Sequence, residues 1–439
     1  MVAAEFIDFL QKLHIPDYIG VEDFADKLSF LYSVLVLLLC TSIVTVKQYL
    51  MSAIACYIPT EPTGSNFDGF LENYCWVHGT IPILKGEPIP QKLDEWAEFD
   101  RKHRINYYQW VPFMLGIQCV LFYLPRMIWQ IICSHQTGTD LGNLVVVASQ
   151  ASNASEEERK KLVQHVTSSI TGMLDQNRGL TDGVQRHKTD RWYSSCRLLI
   201  MSKRLGTWLA FTYLLIKMCY LTNSIGQLYL MQRFLGFNDS LSNFGMDLSQ
   251  YMLSGQNWEQ TRIFPRISFC YMADLRQLGT TNRYIAQCVL PVNMLNEKMY
   301  IFLWFWIATV AICTALSIPL WLIRLGLTKN RLHFIKKFLR ITDQFTKSDK
   351  TKLKRFTNDF LRHDGVFLLR MISMNAGDVI TSEVVSKLWT TYSEAEKPAL
   401  SLPTPSSSNT GPKDTTITSN MKPDTEKHLS STSARLEKV

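Results

Sequence analysis

Four long stretches almost free of charge decide what this chain folds into. Residues 28–46, 105–125 and 299–323 contain no Asp, Glu, Lys or Arg, and residues 205–232 contain only Lys217. At about 1.5 Å of helical rise per residue, even the shortest crosses most of a hydrocarbon core roughly 30 Å thick. In lipid the backbone polar groups must be satisfied within the segment, so each stretch reads as a helix. The expected fold class is an all-α polytopic membrane protein with four transmembrane helices at residues 28–46, 105–132, 205–231 and 299–323. Whole-chain averages, 46% hydrophobic and 19% charged over 439 residues, hide this concentration.

Basic residues set the orientation. With alternate loops on opposite sides, Lys and Arg number 2 in residues 1–27, 10 in 133–204 and 20 in 324–439, against 6 in 47–104 and 6 in 232–298. Basic loops stay cytoplasmic, which puts both termini and the middle loop inside. The leader runs the other way, with Glu5, Asp8, Asp17, Glu22, Asp23 and Asp26 against Lys12 and Lys27, but acids weigh little in orientation. A long first span without a small-residue cleavage site reads as an uncleaved helix, not a signal peptide. Residues 324–355 hold 11 basic residues against Asp343 and Asp349, a stretch suited to anionic membrane lipids. The net charge of +8 is therefore assigned to the membrane and not to nucleic acid, for no basic segment carries interleaved stacking aromatics or a zinc-finger spacing.

Cysteine placement tests this topology independently. Of ten cysteines, Cys40, Cys119, Cys219 and Cys313 fall within spans and Cys133 and Cys196 border the middle loop. Each outside loop holds two, Cys56 with Cys75 and Cys270 with Cys288. An even number on the oxidising side reads as two disulfides, with three pairings open and nothing in the spacing to choose among them. No close Cys or His pair accompanies them, so no metal is expected. Stapling loops that lack a core of their own is by itself a sufficient reason for such bridges.

The connecting segments differ in character. Residues 2–13 put Phe6, Phe9, Leu10 and Leu13 on one helical face ahead of Pro16, a short amphipathic helix that packs on a neighbour, lies on lipid or folds into a pore mouth. The first outside loop, 47–104, opens with Pro59, Pro62 and Gly64 and reads as mostly turns, with 8 acidic and 5 basic residues in 51–104. In the middle loop, Ser155 and Glu158 form a capping box ahead of Leu162, Val166, Ile170 and Leu174. Beyond span four, residues 329–392 alternate basic and apolar positions at helical spacing, with Phe334, Phe338, Phe345, Phe356 and Phe360. These pieces are expected to pack as a helical cytoplasmic domain ending near 396. Residues 397–439 turn to Ser, Thr and Pro, a composition of disordered tails.

Span three carries polarity that needs a partner. Lys217 costs roughly 3 kcal/mol at the bilayer centre on insertion scales, and no span offers an Asp or Glu to pair with it. On a helical wheel Lys217, Tyr220, Asn223, Ser224 and Gln227 share one face. Such a stripe faces either other helices or water inside an assembly; the expectation is bonding between helices, with Lys217 snorkelling towards an interface. Pro112 and Pro125 in span two each remove a backbone donor and favour a kink. No enzyme constellation is present: all nine histidines lie outside the apolar stretches, and neither a G-x-S-x-G nor a P-loop occurs. No catalysis and no cofactor are expected.

Particular residues then point to a family. Tyr107-Tyr108-Gln109-Trp110-Val111, followed by Pro112, resembles the signature that innexins, the invertebrate gap-junction proteins related to pannexins, carry at the start of span two. The second outside loop agrees, with Phe264-Pro265-Arg266, Cys270, Gln287-Cys288-Val289-Leu290-Pro291, Asn293 and Asn296-Glu297-Lys298, then Phe302-Leu303-Trp304-Phe305-Trp306 leading span four. The resemblance covers residues 1–392. It implies an oligomeric large-pore channel of eight subunits, of the same or related chains, docked to a matching ring on the adjacent cell. It also implies that Cys56 pairs with Cys288 and Cys75 with Cys270. By region, it places Glu5, Phe6, Asp8 and Phe9 in the pore. Asn238-Asp239-Ser240 is a glycosylation sequon just outside span three, and a glycan there crowds a docking face and favours an undocked hemichannel. The expected function is a gap-junction subunit in the plasma membrane passing ions and small metabolites; the alternatives are a non-junctional hemichannel and a four-span adhesion or scaffold protein.

Overall fold

The structure, a computed structural model, describes residues 19–58, 64–83, 86–135, 140–179, 206–236, 264–277, 279–346 and 349–400. Glu5, Phe6, Asp8, Phe9, Asn238 and the tail from 401 lie outside the described residues. The chain divides into two units, Met1–Ser393 and Glu394–Val439, and the helical bundle lies in the first. In chain order its elements begin with α1 (Phe24–Tyr49), β1 (Ala55–Tyr57), α2 (Ser65–His78), α3 (Leu93–His103), α4 (Val111–His135), α5 (Leu141–Asn153) and α6 (Glu156–Gly179). There follow α7 (Trp208–Phe234), β2 (Ile267–Gln277), β3 (Thr280–Val289), α8 (Pro291–Gly326), α9 (Thr328–Ile341), α10 (Lys350–Arg355) and α11 (Arg362–Leu400).

Among the described residues, three helices are long and apolar enough to cross a membrane: Phe24–Tyr49, Tyr107–Ser134 and Pro291–Gly326. α7 matches them in length at 27 residues but is less apolar, because the stripe from Lys217 to Gln227 dilutes it. α1, α4 and α8 are largely apolar on both their buried and their exposed faces, whereas the buried face of α7 carries the polar stripe. On α8, Tyr300, Leu303, Ile307, Val310 and Trp321 turn inward while Phe302, Ile312, Leu316 and Leu320 turn outward. Pro291 opens this helix at a position where a missing N–H costs nothing. Pro112 likewise sits in the first turn of α4, so the expected kink has no cause there, and Pro125 is carried inside one continuous helix.

The outer ends depart from the sequence reading in two ways. The first outside loop is not mostly turns: it contains α2 and α3, and α2 buries Leu71 and Cys75 four positions apart on one face. The fold is also not wholly helical. β1, β3 and β2 form a three-stranded antiparallel sheet in that order, with the β2–β3 turn made at Gly279 in the left-handed region. Tyr284, Ile285 and Val289 in β3 supply the branched and aromatic side chains that a strand prefers.

At the opposite ends of the four helices, α5, α6 and α9 to α11 share a large core with the last turns of the bundle. Val166, Ile170 and Leu174 of α6 are buried in it, as are Phe338, Phe356 and Phe360, the positions expected from helical spacing. Leu327 alone separates α8 from α9, so this domain is a direct continuation of the last span.

Candidate functional site

One end of the four-helix bundle carries a covalently closed body. Cys56 in β1 stands opposite Cys288 in β3 in the sheet register, and the two form a disulfide with their Cα atoms 4.0 Å apart. Cys75 at the end of α2 bridges to Cys270 in β2, Cα to Cα 5.7 Å. Both bonds run from the loop at 47–104 to the loop at 232–298, so neither loop moves without the other. The Sγ atoms of Cys56, Cys75 and Cys288 lie within 4.8 Å of one another, but as bridged sulfurs they offer no thiolate to a metal. Around them Ile54, Leu71, Tyr108, Met272, Ala286 and Leu290 are buried; the backbone bridge from Ile81 to Phe269 adds a second seam between the loops, and that from Thr80 to Ile105 closes the first loop on itself.

The motif at 107–112 joins this body to the bundle. Tyr107 donates from its hydroxyl to Asn293 Oδ1 at 3.3 Å, and Asn293 in turn donates to the Pro265 carbonyl at 3.0 Å. Tyr108 is wholly buried with its ring centroid 4.9 Å from that of Trp76. Gln109 donates to the Trp76 carbonyl and accepts at its own carbonyl from Gln48 Nε2 at 3.1 Å. Val111 is buried in the bundle, whereas Trp110 points outward and is 58% exposed. Tyr107, Tyr108, Gln109 and Val111 therefore tie the start of α4 to the second loop, to α2, to α1 and to the bundle, while Trp110 is left facing outward.

Towards the opposite end lies the buried ion cluster that sequence reasoning missed. Lys217 is fully buried and donates from Nζ to Asp23 Oδ2 and Asp26 Oδ1, both at 2.8 Å. The expectation of a lysine snorkelling without a carboxylate partner is corrected: the acids come from the leader, whose last turn folds into the bundle. Asp23 caps α1 and accepts from the Asp26 N–H at 3.0 Å. Its Oδ2 also accepts from Ser317 Oγ at 2.8 Å and Trp321 Nε1 at 2.7 Å on α8, and Tyr213 on α7 donates to Asp26 Oδ2 at 2.7 Å. With every oxygen hydrogen-bonded, the charges are tolerable out of water. Tyr220, Ser224 and Gln227 of the same stripe are buried too.

The chain just before this cluster is fastened as well. Asn375 of α11 donates to the Gly20 carbonyl at 3.0 Å, Trp129 of α4 donates to the Val21 carbonyl at 3.1 Å, and Glu22 pairs with Arg126. Residues 20–26 are thus held by α4, α7, α8 and α11 together, fixing the point from which the first residues of the chain depart. A neighbouring junction couples α7 to the inner domain. Asp364 Oδ1 accepts from the Ala210 N–H at 3.0 Å, and the Asp364 N–H donates to the Gly206 carbonyl at 3.0 Å. Burial pushes the Asp364 carboxyl up to about 6, a rise that the N–H groups opening α7 restrain.

Residues 22–392 match the family described as Innexin. The chain is 32% identical over 385 residues to Innexin unc-9 of Caenorhabditis elegans, a match spanning 87% of this chain and 93% of the relative. It is 31% identical over 395 residues to Innexin-3 of the same organism, spanning 90% and 89% of the two chains. Innexin eat-5, also from that organism, is 30% identical over 385 residues, spanning 84% and 87%.

Proposed function

The chain belongs to the innexin family, and on that premise we propose that it is a gap-junction channel subunit, copies of which ring a water-filled pore and dock to a matching ring on the next cell. The observation that carries this reading is the bridged outer body. Two disulfides and a three-stranded sheet bind both outside loops into one rigid element at one end of four apolar helices. A docking rim needs such stiffness, since loops ordered only on contact would spend binding energy on their own entropy. In this reading all four long helices span the plasma membrane with both termini inside. The subunits are eight, identical or from related chains, and Glu5, Phe6, Asp8 and Phe9 narrow the pore where residues 20–26 deliver them.

The anchor beneath the leader supports the same reading. A segment that sets a pore radius must leave the wall at a fixed place, and the Asp23–Asp26–Lys217 cluster supplies one. Paired-cell voltage clamp of the protein expressed alone tests the function. Cys56→Ser or Cys288→Ser should abolish intercellular current, whereas Cys119→Ser should leave most of it. Dye uptake by single cells without coupling between pairs would select an undocked hemichannel instead.

A further inference from the structure

The exposed residues Ile312, Leu316 and Leu320 follow one another along α8 at four-residue steps, and the next position on that stripe is Arg324. An outward apolar stripe on a span faces acyl chains, and a basic residue that ends it stands at headgroup depth. Arg370 of α11 reaches the same place: its Nη2 donates to the Arg324 carbonyl at 3.5 Å, and its guanidinium lies 4.2 Å from the ring centroid of Phe334 on α9. Arg324 in turn lies over the Trp321 ring at 5.8 Å. α8, α9 and α11 therefore meet at these two arginines, the guanidinium of Arg370 lying against the backbone of Arg324.

Neither arginine forms an ion pair among the described residues, and Arg370 Nε is buried without a hydrogen-bond partner. Burial, and after it the positive charge of Arg324, pulls the Arg370 pKa down to about 10. Like charges held together and partly buried are costly unless an anion joins them. Phosphate is the anion that fits, because its oxygens match the planar fork of guanidinium donors. We propose that Arg324 and Arg370 form a binding site for the phosphate of an anionic phospholipid in the inner leaflet. The lipid is preferred to a soluble phosphate because the site continues the acyl-facing stripe of α8. The proposal rests on the membrane orientation given above, but its readout is lipid binding, so its failure leaves the channel reading untouched.

The test is native mass spectrometry of the full-length protein in detergent, titrated with dioctanoyl phosphatidylserine, dioctanoyl phosphatidylcholine and inorganic phosphate. Phosphatidylserine should bind about tenfold more tightly than phosphatidylcholine, and Arg324→Gln and Arg370→Gln should each weaken it about tenfold, the worth of one charge-assisted contact. Arg283→Gln, on β3 at the other end of the bundle, should leave binding unchanged. Arg324 is exposed, so its variant tests the site even where Arg370→Gln disturbs the core. Equal binding of both lipids, or undiminished binding by both variants, overturns the proposal. Inorganic phosphate that competes at equal concentration overturns the lipid as its source.

Discussion

Lys217 and Asp23 stand 194 positions apart in the chain, and the lysine Nζ meets the aspartate Oδ2 at 2.8 Å. The same oxygen takes hydrogen bonds from Ser317 and Trp321, so the contact binds the start of α1 to α7 and α8 at once. Lys217→Met leaves two buried carboxylates without their cation. It should cost about 3–5 kcal/mol, the usual penalty for breaking one side of a buried pair. Thermal unfolding in detergent reads the loss, and adding Asp26→Asn to Lys217→Met should recover part of it. Single and double variants of equal stability would show that the cluster contributes nothing.

Asp364 gives the inner domain a pH dependence of definite sign. Its folded-state pKa, about 6, lies above the ordinary 3.8, so the fold holds a proton that the unfolded chain has released across that window. Stability contributed this way is fully present below about pH 4 and is lost as pH rises through 6. Asp364→Asn keeps an acceptor for Ala210 and removes the charge, so it should flatten that slope and raise stability at pH 7.5 by up to about 3 kcal/mol. Denaturation at pH 5 and 7.5 on both proteins measures the difference.

Arg362 is held at φ 56° and ψ −155°, a region left almost wholly to glycine. Arg362→Gly should therefore stabilise the protein by about 1 kcal/mol. Gly206, also at positive φ, faces it so closely that an added Cβ would lie 2.6 Å from Arg362 Cδ. Gly206→Ala should destabilise by about 1–2 kcal/mol, and less in the Arg362→Gly background. Chemical denaturation of the four proteins forms the cycle.

At the pore, Glu5→Lys or Asp8→Lys should shift ion preference towards anions and change unitary conductance, since a charge lining a narrow passage sets the local ion concentration. Reversal potentials under a salt gradient report the preference. Identical potentials for wild type and both variants would remove the leader from the conduction path.

Local signals carried most of the architecture. Charge-free stretches located the long helices, and four-residue spacing located Val166, Ile170 and Leu174 in the inner core, because both patterns are complete within one segment. The partners of Lys217 were not legible that way. Asp23 and Asp26 precede the first apolar stretch and read as part of a soluble leader; their position within one turn of a span was the available clue. The sheet was missed for a related reason. Strand β1 is defined by pairing with β3 across more than 200 residues, and the alternation of the β2–β3 hairpin at 267–289 is weak beside the spans. Spacing left three disulfide pairings open, and it is the register of β1 on β3 that sets Cys56 facing Cys288. Arg370 joined Arg324 through the packing of α11, which no window of sequence contains.

The two bridges also make the molecule hard to take apart by proteolysis. Cys56 with Cys288 and Cys75 with Cys270 each link residues before α4 to residues after α7. A nick anywhere in the intervening polypeptide, including residues 180–205 between α6 and α7, yields two fragments that stay one covalent particle. Such damage would pass unseen on a non-reducing gel and appear as a front and a rear half once thiol reductant is added.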